Sequence, residues 1–424
     1  MILPQNGRIV VIDDILEEGL PLVKVLAKNG VPTTYFTGKY DELPSEPLQD
    51  VRLVFLDIVI GTKQAEKNII STLQGILKKI IGPQNSPYIL IAWTMHNELI
   101  EKIRKLPGVC PPHITLNLEK AKCKIDNEKY DLDIIESRIK QELKEIGILH
   151  LFVLWENIVH ESANRIIKEF TSFYDNDGNW NKNLSDVIFQ LARAYIGKQL
   201  KKNNKKEIIQ NGLLTFNGTF MDTLENAIQE FKPSAMNIKF DAVENITEEV
   251  SAKINSRLLL FESLKTNALH PGNIYEIENN SKLTMEIADV YDGKLENFGK
   301  KDELINQLKH VSLEVSPTCD FAQRKWRRSR LISGAMWPKD HCSNIKKAEY
   351  IYTSPYLAKN GSIFKLVFDL RYFTSLSFNT LKKMRPAFRV KHELLVDIQT
   401  HLARHISRPG VTFIEESRKR KKKN

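Results

Sequence analysis

The chain has 424 residues, is 42% hydrophobic and 27% charged, and carries a formal net charge of +10. These are the proportions of an ordinary soluble protein of two or three domains. No apolar run reaches the ~18 residues a membrane span requires, so no membrane partner is expected, and Met1–Gln5 lack the basic-then-apolar order of a secretory signal. The cysteines Cys110, Cys123, Cys319 and Cys342 are scattered and form no CxxC pair. That argues against a zinc knuckle or a disulfide framework and makes a reducing cytoplasm the expected location. The charge is uneven: residues 1–150 hold 19 Lys and Arg against 20 Asp and Glu, residues 301–424 hold 26 against 11. A nucleic acid or an acidic partner at the C-terminal end would account for the excess. So, in part, would a plain solubilising tail, since Arg418–Lys423 are all basic.

Residues 1–128 alternate apolar runs with helical periodicity. Arg8–Ile12 reads as a buried strand that ends in Asp13-Asp14. Leu16, Leu20, Leu22, Val23, Leu26 and Ala27 recur at helical spacing, and Asn29-Gly30 stops that helix. Thr33–Thr37 is a short strand, and Val51–Leu56 is a longer one that ends in Asp57. Ile69, Ile70, Leu73, Ile76, Leu77 and Ile80 form a helix face closed by Gly82-Pro83. Tyr88–Trp93 runs into Thr94, and Asn97–Lys105 reads as a short helix. Ile114–Leu118 is followed by Glu119-Lys120. Short apolar strands alternating with helices predict a parallel sheet covered on both faces: a five-stranded, doubly wound, flavodoxin-like α/β domain. In such a sheet the carboxyl ends of the strands line one crevice, where Asp13, Asp14, Asp57, Thr94 and Lys120 would meet. Three carboxylates, a hydroxyl and a lysine can hold Mg²⁺ and carry a phosphoryl group on an aspartate.

Residues 129–265 read as an all-α middle domain. Ile134, Ile135, Ile139, Leu143 and Ile146 follow a helical period, as do Leu151, Leu154, Trp155, Ile158 and Val159, then Val187, Leu191, Ala194 and Tyr195. Lys198–Glu207 reads as an exposed loop or helix end, with further helices over Asp222–Phe231 and Ile246–Leu264. Nothing there has catalytic spacing. Residues 266–415 change texture: Asn273–Ile277, Leu283–Val290, His310–Val315 and Ile363–Phe368 read as strands. Pro386–Ser407 closes as an amphipathic helix through Leu394, Leu395, Ile398, Leu402 and Ile406. The expectation is a β-rich, barrel-like C-terminal domain with a closing helix, followed by a basic tail at 416–424.

The order Val10-Val11-Ile12-Asp13-Asp14, Val54-Phe55-Leu56-Asp57, Ala92-Trp93-Thr94 and Lys120 resembles the receiver domain of bacterial response regulators. The resemblance covers residues 7–125 and is nearest to divergent receivers of predicted conflict and anti-phage systems. It implies that Asp57 accepts a phosphoryl group from a histidine-kinase-type ATPase partner. It implies that Asp13, Asp14, Asp57 and the Val59 carbonyl hold Mg²⁺, that Lys120 offsets charge on the phosphoryl oxygens, and that Thr94 hydrogen-bonds them afterwards. The chain departs from the receiver pattern at Ala121, where proline usually follows the lysine, and at Asn117, where an aromatic switch residue is usual. The loop Ile58-Val59-Ile60-Gly61-Thr62 lacks the usual proline. These departures imply that the acceptor chemistry is kept and the output relay altered. The alternatives are a receiver fold used only as a docking module and a different α/β domain whose aspartates merely cap strands and helices.

Val311–Gln323 leaves a strand through Ser316-Pro317-Thr318-Cys319-Asp320 and is followed by Arg324, Arg327, Arg328 and Arg330. The segment resembles a motif of uncharacterised bacterial barrel proteins whose closing helix ends near a Ser-Arg-x-Gly turn, here Ser407-Arg408-Pro409-Gly410. One reading makes Cys319, Asp320, Arg324, Arg327 and Arg328 a reactive or nucleotide-directed site, with His310 or His341 as base and an effector nuclease as the function. The other makes Cys319 a buried packing residue and Asp320 a turn cap. The arginines, with Trp326 and Trp337 for stacking, could also hold a nucleic-acid backbone.

Overall fold

The computed structural model describes residues 8–61, 65–95, 99–125, 129–144, 147, 149–173, 179–197, 200–201, 204–232, 246–261, 269–278, 284–292, 298–323 and 325–407. Arg324, the Ser-Arg-x-Gly ending beyond Ser407 and the basic tail lie outside them. The chain divides into two compact units, Met1–Ile188 with Leu213–Asp241, and Phe189–Gly212 with Ala242–Asn424.

The first unit opens with β1 (Arg8–Ile12), α1 (Leu16–Lys28), β2 (Thr33–Phe36), β3 (Val51–Leu56), α2 (Glu66–Ile80), β4 (Ile89–Thr94), α3 (Ile100–Ile103) and β5 (Ile114–Glu119). All strand pairs are parallel, in the order β2-β1-β3-β4-β5. That is the flavodoxin-like doubly wound order. Alternate residues of the strands bury on opposite faces. Ile9, Val11, Leu53, Phe55, Ile91 and Trp93 join Leu22, Val25 and Leu26 of α1. Val10, Ile12, Val54, Leu56, Leu90 and Ala92 join Leu73, Ile76, Leu77 and Ile80 of α2. The β2–β3 connection has no helix; Leu43 and Leu48 cover that part of the α2 face instead. After a 3-10 turn at Lys120–Cys123, α4 (Leu132–Leu143) packs Ile135, Ile139 and Leu143 into the α1 layer. Its N-terminus is capped by Asp131, whose carboxylate accepts from the Asp133 and Ile134 amides.

Four helices follow: α5 (Leu149–Thr171), α6 (Trp180–Ile196), α7 (Lys205–Glu230) and α8 (Glu248–Leu259). The helical middle is consistent with its sequence pattern, although α7 starts much earlier than Asp222. Trp155, expected on the buried face of α5, is exposed, and Leu149, Val153, Ser162 and Ile166 are its buried residues.

The β-rich part contains β6 (Asn273–Glu276), α9 (Ile287–Val290), α10 (Phe298–Gln307), β7 (Lys309–Glu314), α11 (Thr318–Ala322), β8 (Arg328–Pro338), β9 (Ile351–Thr353), β10 (Leu357–Lys359), β11 (Ser362–Ser377), α12 (Phe378–Leu381), β12 (Pro386–Arg389) and α13 (His392–Ile406). Its sheet is antiparallel, in the order β10-β11-β8-β7-β6-β12, with β9 also on β11. The barrel-like expectation needs correction, because the sheet curls without closing. Lys359 of β10 reaches to 5.3 Å from the Phe388 ring of β12, yet among the described residues no backbone ladder joins those strands. Each is only three or four residues long. One face carries Val311, Leu313, Ile332, Leu366 and Phe368 against Leu394, Leu395, Ile398 and Leu402 of α13, the closing helix the sequence predicts.

Two further expectations are corrected here. Leu283–Val290 was expected as a strand, but Ile287–Val290 is a helical turn; Leu283 lies outside the described residues. Ile287, Val290 and Tyr291, at i, i+3 and i+4, all face one cluster with Leu304 and Trp337. Pro386–Arg389, read as the start of the last helix, is β12. The long β8 is absent from the sequence reading. It crosses β11 at Gly334, where a Cβ would stand 2.3 Å from the Val367 carbonyl oxygen.

Candidate functional site: a carboxylate pocket at the strand ends

Ile12 and Leu56 are in register on β1 and β3, and the Asp57 amide donates to the Ile12 carbonyl at 2.8 Å. Asp13 and Asp57 therefore leave the sheet side by side. Asp13 and Asp57 are buried and Asp14 is half-buried, and one oxygen of each aspartate is tied to a loop amide. Asp13 Oδ1 accepts from Ile15 at 3.0 Å, Asp14 Oδ2 from Gly61 at 2.8 Å, and Asp57 Oδ1 from Val59 at 3.2 Å. The Asp14–Gly61 bond stitches the β1–α1 loop to the β3–α2 loop.

Lys120 enters from the end of β5 and is 2% exposed. Its ammonium donates to Asp57 Oδ2 at 2.7 Å and to Glu18 Oε2 at 2.6 Å, and stands 2.9 Å from Asp13 Oδ2. The last contact is an ion pair outside hydrogen-bond geometry. Asp13 Oδ2 and Asp14 Oδ1 are thus buried with no hydrogen-bond donor among the described residues. Thr94 is fully buried at the end of β4, in register with Glu119, the neighbour of Lys120. The Val59 amide is placed by its bond to Asp57.

Glu18, absent from the sequence reading, is the fourth carboxylate. It sits in the first turn of α1, and its carbonyl accepts from Trp93 Nε1 at 3.1 Å. The first turn offers Glu17 and Glu18 alike, and only the fold selects Glu18 for the pocket while Glu17 is exposed. Tyr35 of β2 donates its hydroxyl to the Asp13 carbonyl. It fits because residue 19 is glycine; a Cβ there would lie 2.5 Å from Tyr35 Cε2.

Asp13, Asp57 and Glu18 surround Lys120, Asp14 stands beside them, and Lys124 lies 3.9 Å from Glu18 Oε1, so carboxylates outnumber ammonium groups in the pocket. Burial pushes the Asp13 carboxyl up to about 6, with the Lys120 ammonium opposing the shift. Burial likewise raises Asp57 against the pull of Lys120. Burial would lower Lys120, but Asp57 and Asp13 outweigh it and hold the ammonium above its ordinary value. Burial, then Asp13 and Asp14, push the Tyr35 phenol up to about 12. A divalent cation fits this donor set: Asp13, Asp14 and Asp57 each offer a ligand atom within 4.8 Å of the others. Two of the pocket's oxygens lack a hydrogen-bond donor, and a hard cation takes oxygen ligands.

The second set of candidates is arranged differently. The Ser-Pro-Thr-Cys-Asp turn rests on buried Glu314, whose carboxylate accepts from the Ser316 amide (3.1 Å), the Ser316 hydroxyl (2.5 Å) and the Arg330 amide (2.9 Å). Gln399 of α13 donates to the Val315 carbonyl at 2.9 Å. Cys319 is exposed, which corrects the buried-packing reading. Its thiol lies 4.0 Å from Asp320 Oδ1. Asp320 holds the turn through its backbone carbonyl, which accepts from Lys325 and Trp326. The structure does not bring the proposed bases to the thiol. His310 precedes Glu314 by four residues of extended strand, roughly 13 Å, and His341 follows the opposite end of β8. Trp337 is fully buried and donates to the His341 carbonyl at 2.8 Å, so it offers no stacking face. Arg327 and Arg328 are exposed at the start of β8.

No family model matches this sequence, and no curated protein matches it either. Among solved structures, a response regulator protein from Burkholderia pseudomallei, crystallised with a phosphorylated aspartic acid, calcium ion and citrate, is similar at 14% identity. The match covers 38% of this chain and 88% of that one, with a TM-score of 0.20. At that score the likeness carries no weight of its own. What the sheet order shows by itself is a flavodoxin-like fold with its carboxylates at the strand ends. No helix among the described residues is long and apolar enough to cross a membrane.

Proposed function

We propose that the first unit is a phosphoacceptor of receiver type, with Asp57 as nucleophile, and that its phosphorylation state controls the C-terminal part of the chain. The observation that carries this reading is the Asp57 carboxylate at a strand end, hydrogen-bonded to buried Lys120 and flanked by Asp13 and Asp14. In the transfer, an Asp57 oxygen forms the new O–P bond while the N–P bond of a phosphohistidine breaks. The imidazole keeps the electron pair and takes up a proton. Lys120 faces the side on which charge is transferred and offsets it. Thr94, at the end of the neighbouring strand, supplies the hydroxyl for the phosphoryl group once it is in place. Asp13, Asp14 and Asp57, with the Val59 carbonyl, would hold Mg²⁺, whose chemistry is neutralisation of the phosphoryl oxygens. The donor in this reading is a histidine-kinase-type ATPase in a bacterial, defence-related relay in the cytoplasm.

The test is incubation of the full chain with a small acyl-phosphate donor and Mg²⁺, read by intact mass. The expected result is one added phosphate that disappears in Asp57→Ala and after chelation. No added phosphate in the unsubstituted protein, with cation binding shown independently, overturns phosphoacceptance and leaves the unit a docking module.

A further inference from the structure

We propose that one end of the β8–β11 ribbon is a binding site for single-stranded nucleic acid. Arg328 and Arg330 would contact phosphates, and Phe373 would stack under a base.

The ribbon pairs Arg328 with Ser377, Arg330 with Ser375 and Ile332 with Phe373. Residues directly opposite in an antiparallel pair project to the same side, so Arg328, Arg330 and Phe373 share a face. Arg328, Arg330 and the residues opposite them are exposed. Arg328 is laid across the partner strand, its Nε 3.2 Å from Ser375 Oγ. Phe373 is 44% exposed, on a strand whose core side is otherwise filled with buried Phe364, Leu366 and Phe368.

Further cations gather at this end. Trp326 packs edge-on against Phe378 of α12 at 4.8 Å and against Phe321 at 5.5 Å. Phe378 begins α12; Arg327, next to Trp326, and Lys382 and Lys383, which follow α12, are exposed. Residues 321–339 and 370–392 contain neither Asp nor Glu, and the acid the structure places beside Arg330, Glu314, is fully buried and bonded to the Arg330 amide at 2.9 Å.

The chemistry favours a single nucleic-acid strand over an acidic protein. Arg328 and Arg330, two residues apart on a strand, stand about 6.8 Å apart, a spacing suited to successive phosphates. An aromatic ring beside a basic track is the usual platform for an unpaired base. Bases in a duplex are already stacked, and an acidic protein surface has no use for the ring.

The experiment is fluorescence anisotropy of the full chain with labelled mixed-sequence RNA and DNA strands of about 12 nucleotides, a matching duplex, and poly-glutamate as competitor. The expected result is salt-dependent binding of the single strands. Phe373→Ala should weaken it about 5- to 150-fold, with Phe373→Tyr restoring it. The Arg328→Gln/Arg330→Gln pair should reduce the slope of log affinity against log salt by about 1.4. Preference for RNA or for DNA names the strand and supports the site either way. The proposal is overturned if nothing binds, if the variants bind as the parent does, or if the duplex binds as well as the strands. It is also overturned if poly-glutamate competes fully while Phe373→Ala has no effect; the site is then one for an acidic protein.

Discussion

Lys120→Met is the sharpest test of the pocket. The change keeps the length and apolar body of the side chain and removes the ammonium that faces Asp57, Glu18 and Asp13 at 2.6 to 2.9 Å. Breaking a buried ion pair from one side costs about 3–5 kcal/mol. Here the carboxylates can relieve part of that by taking up protons, so the lower end, about 3 kcal/mol, is expected at neutral pH. For a unit of this size that lowers the unfolding midpoint by about 6–12 °C. The same substitution makes the pocket more negative and should tighten its hold on a divalent cation. Mg²⁺ at about 100 times its dissociation constant should return about 2.7 kcal/mol, nearly restoring the variant. The assay is thermal unfolding with and without Mg²⁺, with hydrogen exchange of peptides covering β1, β3 and β5 to assign the change to this unit. If Lys120→Met unfolds where the parent does, or if Mg²⁺ stabilises neither protein, the charge argument is wrong.

Glu314→Ala should destabilise the second unit by about 2–4 kcal/mol, because it strands the Ser316 amide, the Ser316 hydroxyl and the Arg330 amide at a buried site; urea unfolding measures it. Burial raises the Glu314 carboxyl above its ordinary value. Its stability contribution is therefore greatest below the unfolded carboxyl range and declines as pH rises through the folded value. Glu314→Gln should flatten that slope in a pH series of melts. Gly19→Ala should cost about 1–3 kcal/mol by driving a Cβ into Tyr35. The cost should largely vanish in the Tyr35→Ala background, a double-mutant cycle that additive effects would contradict. Gly334→Ala has no such escape, because the obstacle is the Val367 backbone oxygen; loss of cooperative unfolding of the β-rich sheet is expected by hydrogen exchange.

The parts of the fold readable from sequence are those where one force dominates. β1, β3 and β4 are buried on both faces, so their apolar runs are continuous, and an acid or a threonine marks the point where each emerges. The same logic placed Asp13, Asp57, Thr94 and Lys120 on one edge. It did not find Glu18 or Tyr35, whose roles come from tertiary approach and, for Tyr35, from an empty Cβ position at Gly19. β8 was illegible because its first residues, Arg328 and Arg330, are exposed while its later ones are buried on both faces. One strand thus mixes two patterns, and glycine interrupts it. Ile287–Val290 illustrates the ambiguity of short apolar runs: its spacing suits a strand or a helical turn, and packing against Trp337 decides.

The pocket also shows which part of this molecule is shaped for something other than stability. A domain of this topology is held by the two apolar layers on its sheet, and Asp13, Asp57 and Glu18 add nothing to either. Held together by one lysine, they are a local conflict: Asp13 is so poorly solvated that its carboxyl is pushed up to about 6. A purely structural role for this edge would be served better by fewer charges, since replacing a buried ion-pair cluster by apolar residues is often neutral or stabilising. By contrast, buried Glu314 is matched to three donors, which is what a structural carboxylate looks like in this same chain. Three groups donate to the Glu314 carboxylate, whereas Asp13 Oδ2 and Asp14 Oδ1 are buried with no hydrogen-bond donor among the described residues. That difference supports the chemistry proposed for the first unit's strand ends.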